Sequence, residues 1–173
     1  MAATVIINEL NGAGSTATNK TSSEIQFKKA DNALVDGINP MVVPTSGNAC
    51  SWEKWLRLEF TTAPATQITN INAYSDGASG FGSGVSCYYK VATAFTQPID
   101  IVDSAARISA SITSDLFAAT SSSPIDMDAT VNTGPHTGTG AKANWLVLCM
   151  QVDSTAVQGV ISGESITFSY DES

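Results

Sequence analysis

The sequence predicts an all-β fold: an antiparallel β-sandwich, jelly-roll-like, of about eight to ten strands in one domain over residues 1–173. Three observations predict it. The extended runs are short and alternate apolar with polar residues. Gly, Asn, Asp, Ser and Pro cluster between them. Apolar residues recur at helical spacing almost nowhere.

TVIINEL (4–10) is the first strand, and residues 1–20 form a candidate N-terminal arm. EIQFKKA (24–30) sets Ile25 and Phe27 against Gln26 and Lys28. DNALVDGINP (31–40) is rich in turn formers, and MVV (41–43) reads as a short edge strand ending at Pro44. SWEKWLRLEFTT (51–62) is the longest strand. Leu56, Leu58 and Phe60 share one face, and Trp55 falls on the other beside Glu53 and Arg57. Trp52, Trp55, Leu56 and Phe60 also fit a helix; the run-on into Thr61-Thr62 and the stop at Pro64 favour a strand.

TQITNINAYSD (66–76) is β-branched, and DGASGFGSG (76–84) is a flexible loop. VSCYYKVATAF (85–95) alternates Val85, Cys87, Tyr89 and Val91. RISASIT (107–113) and PIDMD (124–128) are short strands, with a helical turn expected near Ser114–Ala119. After the loop 131–143, NWLVLCMQVD (144–153) is apolar on both faces, as a covered central strand is. SITFSYDE (165–172) closes the chain with Ile166, Phe168 and Tyr170 together.

Charge narrows the partners. Eight cations face sixteen acids, net −8, and Lys28-Lys29 is the one adjacent basic pair. Nucleic-acid binding needs clustered Lys and Arg, so neither nucleic acid nor an anionic membrane is expected. No run is long enough to span a bilayer as a helix, and the N-terminus lacks the pattern of a secretory signal. Cys50, Cys87 and Cys149 are far apart in sequence, without C-x-x-C, and read as core thiols of a chain made in a reducing cytoplasm.

The motifs give no catalytic or cofactor site. The Gly-rich loop 76–84 lacks the Lys-Ser/Thr of a phosphate cradle and opens a strand at Val85-Ser86. The single His136 sits in GPHTGTG with no carboxylate close in sequence, and Ser83 is out of register for a nucleophile elbow. Asp126 with Asp128, Glu53 with Glu59, and Asp31 with Asp36 are acidic pairs without the spacing of a calcium loop. No enzyme activity, cofactor or metal is expected.

The aromatics carry more information. Trp55 and Tyr88 fall on outer strand faces, with Lys54 and Lys90 adjacent in sequence. They are covered by a loop, or they anchor a protein interface with Arg57, or they stack on a sugar. Trp55, Arg57 and Tyr88 are therefore the candidate interface residues.

Four stretches resemble a family of tailed-bacteriophage virion structural proteins. They are Trp55-Leu56-Arg57, the run from Ile68 to Asn72, the strand from Trp145 to Val152, and the ending from Ile166 to Glu172. The likeness runs from residue 50 to the end, and its motifs are structural. It implies a β-sandwich of the phage particle, located on the capsid surface as a decoration (cement) protein. The partner would be the major capsid protein, with the chain itself a homo-oligomer; a trimer would match the local three-fold points of an icosahedral shell. A neck or tail component and a carbohydrate-binding module are the alternatives.

Overall fold

The computed structural model describes residues 2–13, 16–98, 112–129, 132–159 and 162–173. Among them are ten strands and no α-helix. The strands are β1 (Thr4–Asn11), β2 (Thr16–Asn19), β3 (Asn48–Cys50), β4 (Lys54–Thr62), β5 (Ile68–Tyr74), β6 (Val85–Ala92), β7 (Ser114–Asp115), β8 (Ile125–Asp126), β9 (Gly140–Asp153) and β10 (Thr167–Glu172). They form two antiparallel sheets. The larger runs β2-β1-β4-β9-β6-β7, with β3 pairing the far end of β9; the smaller is β10-β5-β8. The expected β-sandwich is what forms.

The centre is β9, fourteen residues long and buried from Ala143 to Met150. It pairs β6 without interruption from Val85↔Val152 to Ala92↔Trp145. On its other side it pairs β4, with the register broken between Leu56 and Leu58. Ala143 sits at that break with φ 61. Both faces of β9 are covered, which is why its sequence is apolar without alternation. Leu146 and Leu148 turn inward to Leu56, Leu58 and Phe60 and to Ile68 and Ile71 of the small sheet. Trp145, Val147 and Cys149 turn outward into a second core with Trp55, Cys50 and Ile112.

The small sheet is narrower than the large one. Part of the remaining inner face is covered by the segment between β2 and β3, whose Ile25 and Phe27 pack on the main core. The strands expected over 24–30 and 41–43 do not form; an isolated bridge, Lys28↔Pro40, takes their place. Between them the hydrogen bonds go to side chains: the carbonyls of Asn32, Ala33 and Leu34 accept from Lys54, Lys20 and Lys28, and Asp36 N donates to Gln26 Oε1. The candidate N-terminal arm is not an arm over the described residues 2–13 and 16–20: β1 lies inside the large sheet between β2 and β4. The expected turn near 114–119 is a 3-10 turn, Leu116–Ala118, capped by Asp115. Of the expected strand 107–113, residues 107–111 lie outside the described residues.

Candidate functional site

The three candidate interface residues do come together, on the outer face of β4, β9 and β6. Trp55 is buried there, whereas Arg57 and Tyr88 are partly exposed. Trp55 is 2 % exposed. Phe95 packs edge-on at 5.3 Å and Trp145 at 6.3 Å. The indole Nε1–H donates to Glu53 Oε2 at 2.9 Å, and Lys90 Nζ lies 5.7 Å above the ring. So the charged neighbours of Trp55 are its partners, and the segment after β6 is its cover. Arg57 is half-buried. Its Nε donates to the carbonyls of Lys142 and Ala143 at 3.3 and 3.0 Å, and its guanidinium stacks on Trp145 at 4.9 Å. It closes the irregularity in the β4–β9 pairing, and burial lowers its pKa. Tyr88 is half-buried against the same core. A residue in Trp55's position offers no area to a partner, nor a flat face to a sugar.

His136 does have a carboxylate, supplied by the fold across the loop. Asp128 Oδ1 lies 2.7 Å from His136 Nε2, and Asp128 Oδ2 accepts the Ile71 amide at 3.0 Å. His136 N and O also bond Ile68. The pair fastens the loop before β9 to β5, and among the described residues no serine or cysteine is hydrogen-bonded to the imidazole. The Gly-rich loop is structural as well. At Gly84 φ is +77, and an added Cβ would meet Ala156 N at 2.5 Å. Cys50, Cys87 and Cys149 are buried. Burial pushes the Cys87 thiol up to about 12, and the hydrogen bond with Cys50, with burial second, raises that of Cys149.

The chemistry that sequence reasoning missed lies at the end of the inner face, under the segment 20–47. Glu9 of β1 is fully buried, as are Lys54 of β4 and Lys28; Lys20 is nearly so. Lys54 Nζ donates to Glu9 Oε1 at 3.0 Å and to the Asn32 carbonyl at 2.8 Å. Lys20 Nζ donates to the Ala33 and Glu24 carbonyls, both at 2.7 Å, and lies 3.8 Å from Glu9 Oε2. Lys28 Nζ donates to the Leu34 carbonyl at 2.8 Å and to Asp36 Oδ1 at 3.0 Å. Three buried ammonium groups thus hold three consecutive carbonyls, 32, 33 and 34.

The electrostatics follow from burial. Two carboxylates, Glu9 and Asp36, face three ammoniums, and carbonyl dipoles supply the rest. Desolvation lowers the Lys54 pKa against the pull of Glu9, with Lys28 and Lys20 adding repulsion. The hydrogen bond from Lys28 lowers that of Asp36.

The loop so held presents apolar groups outward. Leu34, Ile38 and Val42 are each 64 % exposed and Val35 is 50 % exposed. The loop is closed at its base by Lys29 N to Asn39 O at 2.8 Å. It is braced inside by Asp36 N to Gln26 Oε1 at 2.9 Å and Ile38 N to Asp36 Oδ1 at 3.0 Å. Beside it, against the β1–β2 hairpin, lies a cavity of about 290 Å³ lined by Asn11, Gly12, Thr16, Thr18, Asp31 and Leu34, among others. The arrangement can display an apolar loop without letting it collapse. Exposed apolar groups on a fixed backbone are what a protein interface needs, because the ordering cost is met before the partner arrives.

No protein-family model, curated protein or solved structure matches the chain.

Proposed function

We propose that the chain is a structural docking protein of a bacteriophage particle, a capsid decoration protein that binds the major capsid protein through the loop 34–42. The observation that carries the docking role is the lysine cradle: three buried ammoniums fix the loop whose Leu34, Val35, Ile38 and Val42 face solvent. The phage context comes from the sequence resemblance over residues 50–173. The contact energy comes from Leu34, Ile38 and their neighbours rather than from Trp55, Arg57 and Tyr88, which serve the fold of this chain. Self-association as a homo-oligomer belongs to the same proposal, through a surface other than this loop.

The test is co-sedimentation of the purified chain with phage shells that lack it. Saturable binding in numbers that scale with the shell lattice supports decoration. Binding confined to a ring-sized copy number moves the protein to the neck or tail. Absence of binding to any part of the particle removes the virion reading.

A further inference from the structure

We infer that the cavity beside the loop receives one basic side chain, a lysine or arginine, from the protein that docks on Leu34 and Ile38. The inference rests on the docking reading above and names the chemistry of the partner. Its first support is Asp31. Asp31 Oδ2 accepts the Gly12 amide at 2.9 Å. Asp31 Oδ1 is shielded from solvent and has no hydrogen-bond partner. A buried acceptor without a donor is costly and calls for a reason. Here the residue that carries it lines a cavity.

The second support is shape. At about 290 Å³ the cavity is open to solvent on one side and has room for a side chain to enter. Asn11, Thr16 and Thr18 add polar groups along its wall, and Leu34 forms an apolar side where an aliphatic stem would lie. The third is charge. Three lysines of this region, Lys20, Lys28 and Lys54, are turned inward, with side chains 4 %, 1 % and 1 % exposed, and Lys29 Nζ donates to the Cys50 carbonyl at 3.0 Å. The exposed side chains of the loop, Leu34, Val35 and Ile38, carry no positive charge, and the chain has a net charge of −8. A basic partner is attracted; a second copy of this chain is repelled. Because Oδ1 is shielded at rest, an arriving donor engages the carboxylate by turning it, and that turn disturbs the Gly12 hydrogen bond. The Gly12 amide is therefore the reporter.

The experiment titrates the ¹⁵N-labelled full chain with Nα-acetyl-lysine methylamide, and separately with the neutral Nα-acetyl-norleucine methylamide. The expected result is a saturable shift of the Gly12 amide with the lysine probe, at least ten-fold weaker with the norleucine probe. The shift is lost in Asp31→Asn, which keeps an acceptor for Gly12 and an otherwise unchanged amide spectrum. No saturable response at Gly12, an equal response to both probes, or an undiminished response in Asp31→Asn overturns the inference. Shell binding separates this from the docking reading. If Leu34→Asp abolishes shell binding while Asp31→Asn leaves it intact, the cavity inference falls and docking stands. If Leu34→Asp binds shells normally, docking by this loop falls, and the probe titration still decides whether the cavity takes a cation.

Discussion

Trp55 shows how much one side chain's surroundings change its meaning. Its place on the charged face of β4 was plain in the sequence, and so was its choice between cover and interface. The cover was not, because Phe95 and Ile112 come from elsewhere in the chain and no local pattern brings them over the ring. Trp55→Ala therefore acts on the fold. Truncating a large buried aromatic should cost about 3–5 kcal/mol, read as a lower urea midpoint at unchanged slope. Wild-type stability in that variant would mean that the outer core does not exist as described. Gly84 gives a second residue-scale case. The sequence marks it only as one glycine in a flexible loop, yet its φ of +77 and the backbone of Ala156 leave no room for a Cβ. Gly84→Ala should lose more than about 2 kcal/mol in the same unfolding assay, whereas Ala at Gly82, with nothing within 4 Å, should meet only the backbone strain of its own φ of +87.

At the scale of elements, the strands were legible where alternation or a continuous apolar run is long: β1, β4, β5, β6, β9 and β10. The segment 20–47 was not, since its carbonyls 32, 33 and 34 bond to lysine side chains, and those leave no periodicity. One signal was available. Glu9 shares the face of Val5 and Ile7, and Lys54 that of Leu56 and Leu58, so two adjacent strands each point a charge of opposite sign inward. Opposite charges on the apolar faces of two strands mark a buried ion pair by pattern alone, because neither charge is tolerated there without the other. Glu9→Gln tests its importance. Removing the carboxylate leaves Lys54 and Lys20 buried without it, at a cost of about 3–5 kcal/mol. Amide exchange should rise first at Lys29 and Asp36, whose N–H groups close and brace the loop. Exchange unchanged at both amides would mean that the cradle does not hold the loop.

At the scale of the molecule, the buried thiols set an alkaline limit. Cys87 ionises near 9.0 when exposed and is held protonated to about 12 in the fold, with Cys149 raised as well. Between those values the native state holds more protons than the unfolded chain, so their contribution to stability is complete below pH 9 and is lost as pH rises towards 12. The slope is at most about 1.4 kcal/mol per pH unit for each thiol. Lys54, lowered in the fold, works in the opposite sense below 10.5. Urea unfolding across this range should show a fall that is shallower in Cys87→Ala; identical slopes would remove Cys87 from the account. The docking surface is also a property of the whole, since it needs β1, β4 and the 20–47 segment in place before Leu34 and Ile38 are held outward. Its most direct test is shell co-sedimentation of the double variant Leu34→Asp/Ile38→Asp beside Val157→Asp, which changes an apolar side chain 80 % exposed on another loop. Both variants should keep wild-type stability within about 0.5 kcal/mol. Docking through the loop 34–42 requires the double variant to lose shell binding by about a hundred-fold or more while Val157→Asp binds as wild type. A double variant that still binds at wild-type affinity would contradict it.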